Sequence, residues 1–524
     1  MINETAAVTI AYERAIHRMS RCGYTPYPHQ EEGIKWMISR ELDNTAKAGG
    51  LLCDDPGLGK TLQSLALIAA NTRSFSAERT LIICPVSLLE QWSQAAKKMF
   101  PGEKIIISHG ASSFKTKAEI ERSGCFIALV SYNQVFGTEK GVYLRTVLHS
   151  VQWTRVICDE IHKIKNKNSK LWKGCNDINA VNRWGLSGTP LQNNISDMRS
   201  LFSFLHISDV AIRSNLDALK DIYILRRNRH ILPDAYKSLN INIDDVGFDD
   251  PLEQIFYENL RLEIQKEFIQ LTHSSDDGRT IMSHIFELLL RLRQATIHPC
   301  LVYNGLLRKL ITSPSDTYDN IDETRKRLIE RILFWSKRPS TKIKKILELV
   351  RSQTAEDKTL IVSHFVEEAD LIHMFLRKNF PGLRVEIFDG SLTMEKRNEM
   401  IERAKAGLVD CLIIQIQCGG VGLNLQMFNK VYITTPDWNP SNEIQAIARC
   451  HRIGQDRDVD VVKIIISDDT GKPTIDERII SIQNSKRMLM ADYLKDTTLE
   501  FNENFRGKGN IKSLTMKDFA FLFK

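Results

Sequence analysis

Two separate series of short apolar runs, each run followed by a longer amphipathic stretch, restrict the fold of this chain more than any other feature. The first series lies between Gly50 and about Leu205: Leu51-Leu52-Cys53, Leu81-Ile82-Ile83-Cys84, Phe126-Ile127-Ala128-Leu129-Val130 and Val156-Ile157-Cys158. The second comprises Thr359-Leu360-Ile361-Val362, Val385-Glu386-Ile387-Phe388, Cys411-Leu412-Ile413-Ile414, Val431-Tyr432-Ile433 and Val461-Val462-Lys463-Ile464-Ile465. Runs of this length without polar alternation are what strands look like in a parallel sheet covered by helices on both faces. An α/β chain with two such domains is expected, and 524 residues leave room for both. With 43% hydrophobic and 26% charged residues and 15 prolines, the composition is that of a folded globular protein.

Between the two series, Pro251 to Leu301 carries apolar residues at helical spacing: Ile255, Leu260, Ile264 and Phe268, then Ile285, Leu288, Leu289 and Leu292. This predicts a helical insertion. A polar stretch from Ser313 to Asp322 reads as a surface loop before a basic helix with Arg325, Lys326, Arg327 and Arg331. After Thr474 a long amphipathic helix is predicted, then a polar tail around Gly507 to Gly509. The expected divisions are a first lobe over 1–235, the insertion over 236–335, a second lobe over 336–485 and a helical brace and tail over 486–524.

Asp54-Asp55-Pro56-Gly57-Leu58-Gly59-Lys60-Thr61 follows a predicted strand and opens an apolar helix. Glycines let successive backbone N–H groups face phosphate oxygens, and the helix N-terminus adds partial positive charge. Lys60 then reaches the terminal phosphates of ATP and Thr61 reaches Mg²⁺. Asp54 stands where the strict pattern has its first glycine. Asp159-Glu160-Ile161-His162 lies at the end of another predicted strand, where an open α/β sheet places its ligands. Asp159 suits Mg²⁺, and Glu160 suits the attacking water. Taken alone, two adjacent acids fit a solvated surface equally well. Arg449 and Arg452, three apart, are predicted to share one helical face and to neutralise charge on the phosphoryl group; an exposed basic pair is the plainer alternative.

The whole ordered series resembles the SNF2-like ATPases of helicase superfamily 2. The matching stretches are Pro28-His29-Gln30, Asp54 to Thr61, Leu81 to Trp92, Val130-Ser131-Tyr132, Asp159 to His162 and Leu186-Ser187-Gly188-Thr189-Pro190-Leu191-Gln192-Asn193. In the second half they are Phe388-Asp389-Gly390-Ser391, Gly419 to Leu425, Asp437-Trp438-Asn439-Pro440 and His451-Arg452-Ile453-Gly454-Gln455, with Leu225-Arg226-Arg227, Leu290 to Gln294 and His298-Pro299 between. The resemblance implies two RecA-like lobes with ATP hydrolysed in the cleft between them, stimulated by double-stranded DNA, with translocation rather than strand separation. It implies that Gln30 reads adenine, Asp54 to Thr61 hold phosphates, Arg449 and Arg452 act as arginine fingers, and Gly420 and Gly422 line the cleft. Ser187, Gly188, Thr189 and Gln445 would couple hydrolysis to closure. Trp36 to Glu41 is similar to the Lodestar-type termination factors and RING-bearing repair translocases, without RING cysteines. Departures from the family pattern are Pro56 for methionine, Ile161 for a small residue, Gln415 and Gln417 for serine and lysine, and Thr435 and Asp437 within the DPWWNP motif.

A basic run, Lys163, Lys165 and Lys167, together with Gln91 and Trp92, is expected to meet DNA phosphates without reading bases; a solvated lysine-rich loop is the plainer alternative for the run. An excess of 71 Lys+Arg over 64 Asp+Glu is compatible with a polyanion and does not demand one. The ten cysteines form no CxxC pair, which argues for a reducing compartment and against a zinc module. No stretch approaches the roughly 20 apolar residues of a membrane span. The expected setting is intracellular, nuclear or a viral or bacterial DNA compartment, with a nucleosome, polymerase or other DNA-bound protein as cargo.

Overall fold

The structure, a computed structural model, describes residues 2–43, 48–72, 78–188, 195–231, 237–273, 278–310, 323–419, 423–468, 471–494 and 522. It divides into two compact units, Met1–Ala235 and Tyr236–Lys524.

The strands of the first unit are β1 Gly49–Leu52, β2 Thr80–Cys84, β3 Ile105–Ser108, β4 Ile127–Ser131, β5 Gly137–Glu139, β6 Val142–Leu144, β7 Trp153–Asp159, β8 Ala180–Leu186 and β9 Ile224–Leu225. Seven of them form one sheet in the order β3-β4-β2-β7-β8-β1-β9, and every neighbouring pair is parallel; β5 and β6 make a separate antiparallel hairpin. All the strands of the large sheet therefore end on one edge, which gathers the loops after β1, β2, β4, β7 and β8 there.

The second unit holds β10 Leu239–Gly247, β11 Thr359–Ser363, β12 Val385–Phe388, β13 Cys411–Gln415, β14 Lys430–Ile433 and β15 Val459–Ser467, in the order β10-β15-β14-β11-β13-β12, again all parallel. Side-chain alternation divides its core in two. Leu360, Val362, Leu412, Ile414, Val431 and Ile433 pack on one face. Ile361, Cys411, Ile413 and Tyr432 pack on the other. Burial on both faces explains why these strands read as unbroken apolar runs.

Helices Pro251–His273, Gly278–Ile297 and Pro299–Leu310 fill the predicted insertion. Their core, with Tyr257, Ile264, Phe268, Ile285 and Leu289, is shared with Ile475, Ile479 and Ile482 of the helix Ile475–Leu494. Two features differ from the expectation. Ile255 is exposed, because the buried stripe runs through Tyr257 instead. The stretch expected to open the insertion contains β10, an edge strand of the second sheet whose sequence Leu-Asn-Ile-Asn-Ile-Asp-Asp lacks an apolar run. The basic helix is present as Glu323–Ser336, while the polar loop before it and the C-terminal tail lie outside the described residues.

Candidate active site

The loop Cys53–Gly59 connects β1 to the helix Lys60–Asn71. Gly57 and Gly59 have φ of 97° and 83°. Gly59 is required twice over, since a Cβ there would also lie 2.3 Å from Nε2 of Gln30. With glycine at the N-cap no side chain caps this helix, so its first N–H groups are left for an anion. Lys60 Nζ donates to the carbonyls of Asp54 at 2.7 Å and Asp55 at 3.2 Å, inside the curve of the loop. An uncapped helix start with a lysine folded into its concavity fits the phosphates of a nucleotide.

Asp54, where the strict pattern has glycine, is fully buried. Its carboxylate accepts from Arg227 Nε at 2.9 Å and Nη2 at 2.6 Å, and from Gln63 Nε2 at 3.1 Å. Arg227 also donates to the carbonyl of His29. Arg226 bridges the loop and the strand after the acid pair, donating to Asp55 Oδ1 at 3.4 Å and to the carbonyl of Gly188 at 2.9 Å. The backbone pairing of β9 with β1 continues past the strand through Cys53 N to Leu225 O and Asp55 N to Arg227 O. Leu225-Arg226-Arg227 is therefore the clamp that shapes the phosphate loop. A buried acid in a loop meant for anions needs a dedicated cation, and that need is the sequence signal for this clamp.

Gln30, in the helix Pro28–Leu42, donates to the carbonyl of Leu58 at 3.1 Å and accepts from Tyr27 N at 3.1 Å. Burial holds the His29 imidazole below its ordinary value, so its Nε2–H also donates to Leu58 O, at 3.0 Å. The glutamine motif thus rests on the phosphate loop.

Asp159 ends β7. Its Oδ2 accepts from Trp92 Nε1 at 2.8 Å and its Oδ1 from Glu160 N at 3.0 Å, while Tyr132 OH donates to its main-chain carbonyl at 2.7 Å. Burial, and next the charge of Glu160, push the Asp159 carboxyl up to about 6, against the Trp92 bond and the charge of Lys60. Lys60 and Asp159 thus share one electrostatic environment. Glu160 takes a left-handed conformation with φ of 55°, uncommon for a non-glycine and often found at functional turns. Its Oε2 lies 3.3 Å from Nδ1 of His162, which is 3.2 Å from Ser187 Oγ. Burial pushes His162 down to about 3, so it is neutral near pH 7 and its contact with Glu160 is a hydrogen bond rather than an ion pair. Gly188 packs on the phosphate loop, where an added Cβ would meet Pro56 at 2.7 Å. Pro56 therefore forms a rigid contact with the strand that follows the acid pair. Thr189 to Asn193 lie outside the described residues.

Trp92 is a correction. It is 1% exposed and bonded to Asp159, so it is not a nucleic-acid contact. Its neighbour Gln91 is half-buried. Lys163 is exposed, Lys165 is half-buried with its ammonium lowered by that burial, and Lys167 pairs with Asp209 at 2.7 Å. Lys165 and Lys167 line a cavity of about 640 Å³ with Arg199 and Arg213.

In the second unit Arg449 lies on the helix Pro440–Cys450, which holds the buried Gln445. Arg452 does not share its face, because the helix ends at Cys450. The stop is built by the following residues. Gln455 donates to the carbonyls of Cys450, Gln426 and Phe428, His451 Nε2 bonds Lys237 O at 2.7 Å, and Gly454 has φ of 92°. At the helix start, Asp437 accepts from Asn439 N at 2.7 Å and pairs with His364 at 3.2 Å, and Lys342 donates to Thr435 at 2.9 Å. The departures at 435 and 437 thus carry structural bonds. Gln415 donates to the carbonyl of His364 at 3.3 Å. Gly420 and Gly422 are outside the described residues.

Comparison with known families matches residues 29–214 to the SNF2-related domain and 341–454 to the helicase conserved C-terminal domain. An ATP-dependent helicase of Schizosaccharomyces pombe is 28% identical over 94% of this chain and 62% of that protein. The "Probable global transactivator" of Orgyia pseudotsugata multicapsid polyhedrosis virus is 29% identical over 90% of this chain and 91% of its own length. The chain thus spans less than two thirds of the first relative and nearly all of the second. Among solved structures, the Sulfolobus solfataricus SWI2/SNF2 ATPase core in complex with dsDNA covers 91% of this chain at 24% identity with a TM-score of 0.37, and the fold rests on the strand pairing above rather than on that likeness. The chain thus carries an SNF2-related domain followed by a helicase conserved C-terminal domain, the domain pair of an ATPase.

Proposed function

We propose that this chain couples ATP hydrolysis to movement along double-stranded DNA and so displaces or remodels proteins bound to it. The observation that carries the reading is the convergence, on one edge of the first sheet, of an uncapped helix start with Lys60 and the acid pair of buried Asp159 and half-buried Glu160. In this reading Gln30 selects adenine, the backbone from Asp54 to Gly59 and Lys60 hold the phosphates, and Thr61 and Asp159 hold Mg²⁺, which supplies charge neutralisation at the terminal phosphates. Glu160 takes a proton from the attacking water, and the neutral His162 keeps its carboxylate directed through a bond that also touches Ser187. Arg449 and Arg452 are assigned to the charge developing on the phosphoryl group; Ser187, Thr189 and Gln445 to coupling; and Gly420 and Gly422 to nucleotide contact.

Double-stranded DNA as the partner is supported by the two domains and by a cavity whose lining carries Lys165, Lys167, Arg199 and Arg213 against Asp197 and Asp209, with the exposed Lys163 beside it. Contacts of this kind hold phosphates without base preference. A nucleosome or polymerase as cargo, an intracellular DNA compartment and a place near the Lodestar-type branch belong to the same proposal; the last rests on Trp36 to Glu41. No helix among the described residues is long and apolar enough to cross a membrane.

The test is ATP turnover with and without duplex DNA, followed by displacement of a triplex-forming strand against unwinding of a duplex. Duplex-stimulated turnover with triplex displacement and no unwinding is expected. Turnover indifferent to DNA would overturn the partner, and unwinding without triplex displacement would overturn translocation.

A further inference from the structure

The helix Leu89–Met99 follows β2, and β2 lies beside β7 in the sheet. From its first turn the indole of Trp92 reaches across to the end of β7 and donates to Asp159 Oδ2 at 2.8 Å. The other oxygen of Asp159 accepts from Glu160 N at 3.0 Å. Two donors from different elements fix the plane of this carboxylate, and each oxygen keeps a second lone-pair direction. The phenol of Tyr132, the residue after β4, holds the main-chain carbonyl of Asp159 at 2.7 Å, so the backbone beneath the carboxylate is fixed as well.

The chemistry of the donor decides what this bond is for. An indole N–H donates only, carries no charge and cannot ligate a metal. A lysine or arginine in its place would neutralise the carboxylate, and a hydroxyl or imidazole would offer a competing ligand. Mg²⁺ demands near-ideal octahedral geometry and is held by few carboxylates, so the direction of the free lone pair on Asp159 governs how well it binds. Trp92 supplies direction and leaves the negative charge intact. Space filling alone does not require the nitrogen to point at Asp159.

We propose that Trp92 is a positioning residue for hydrolysis, orienting Asp159 toward the Mg²⁺ of the bound nucleotide. The inference rests on the assignment of ATP and Mg²⁺ to this edge and goes beyond it by naming the residue outside the acid pair on which metal affinity depends.

Trp92→Phe keeps a ring and removes the donor. Affinity for a fluorescent ATP analogue, measured with and without Mg²⁺, is expected to stay within about twofold without the metal, while the tightening that Mg²⁺ brings falls at least about tenfold, the size of a lost hydrogen bond to a charged group. The Mg²⁺ concentration that half-saturates hydrolysis is expected to rise by the same factor, with the KM for ATP at saturating Mg²⁺ within about twofold of wild type. In an Asp159→Asn background the further change Trp92→Phe is expected to leave Mg²⁺ enhancement unmoved, because the two side chains act as one unit. Should Trp92→Phe fail to fold, replacement of Trp92 by its benzothienyl isostere, with sulfur in place of the N–H, keeps the shape and gives the same readings. Mg²⁺ enhancement that survives within about twofold in the folded variant, or equal losses with and without the metal, would overturn the role of Trp92 alone. A wild-type chain that binds the analogue with no Mg²⁺ enhancement would remove the nucleotide-site assignment, and this proposal with it.

Discussion

The two units bury charge in opposite ways. In the first, Asp54 and Asp159 lie on the carboxyl edge of the sheet, each oriented by donors from distant elements: Arg227 and Gln63 for one, Trp92 for the other. In the second, the well-paired charges lie beneath the helix Pro440–Cys450 rather than beside a site. Glu443 accepts from Lys463 at 2.6 Å, from Gln483 at 2.6 Å and from Asp437 N at 2.8 Å, and Lys342 pairs with Asp476 at 2.6 Å. The first arrangement directs carboxylates at the sheet edge, while the second holds the helix that carries Arg449. Substitution of the acid pair on the first edge is therefore expected to act on chemistry, and substitutions around the second helix to act on stability first.

Glu160→Gln gives the largest expected effect. A general base contributes about 10²–10⁴ in rate, and the amide fits the same space, so turnover should collapse while the thermal midpoint moves by a degree or two at most. Undiminished hydrolysis would remove Glu160 from the mechanism. Arg227→Ala tests whether aiming and stability can be separated at all in the first unit. It strands the fully buried Asp54, and breaking a buried pair in this way costs about 3–5 kcal/mol. Denaturant unfolding should show the loss, and Arg227→Lys should not restore it, because the contact uses both Nε and Nη2. A loss below about 1 kcal/mol would show that Asp54 finds water or another partner.

Gln455→Ala makes the corresponding cut in the second unit. Its amide nitrogen serves three carbonyls, including that of Cys450 at the end of the helix, so about 1–3 kcal/mol of stability is expected to go. On the role proposed for Arg452, which lies within the turn that the Gln455 bond to Cys450 closes, the rate is expected to fall as well. A rate loss with no stability loss would contradict the contrast between the units.

The same contrast sets what could be read from sequence. The phosphate loop and acid pair were legible because each is a contiguous string at a strand end. The clamp was not, because Arg227 and Asp54 stand 173 residues apart, and an acid at position 54 calls for a cation without saying which one. Buried parallel strands were legible as apolar runs, except where polar residues interrupt them. β8 contains Asn182 and Arg183, which donate to the carbonyls of Thr154, Cys175 and Ile178, and β10 alternates at the sheet edge. Arg452 was placed on a helical face although Gly454, an ordinary helix-stop signal, follows two residues later. Trp92 was grouped with the expected DNA contacts, and only its burial and its bond to Asp159 reveal an internal donor.

The smallest expected effect concerns a second-unit carboxyl that lacks the full pairing of Glu443. Glu253 Oε2 accepts from Thr341 N at 2.9 Å and Oγ1 at 2.8 Å, at the start of the helix Thr341–Arg351, while its buried Oε1 has no hydrogen-bond partner. Burial pushes this carboxyl from 4.5 up to about 7, against those two bonds. A folded value above the unfolded one means that the folded chain keeps a proton the unfolded chain has released between those limits. Stability therefore falls as pH rises from about 4.5 to about 7, and the loss is complete above that window. Glu253→Gln keeps an acceptor for Thr341 and carries no ionisable proton, so it should flatten this slope, with a gain on the order of 1 kcal/mol near neutral pH and none at pH 4. Denaturant midpoints of the two proteins measured across that range decide the matter. Parallel curves would mean that Glu253 is ionised in the folded state, as the paired Glu443 is.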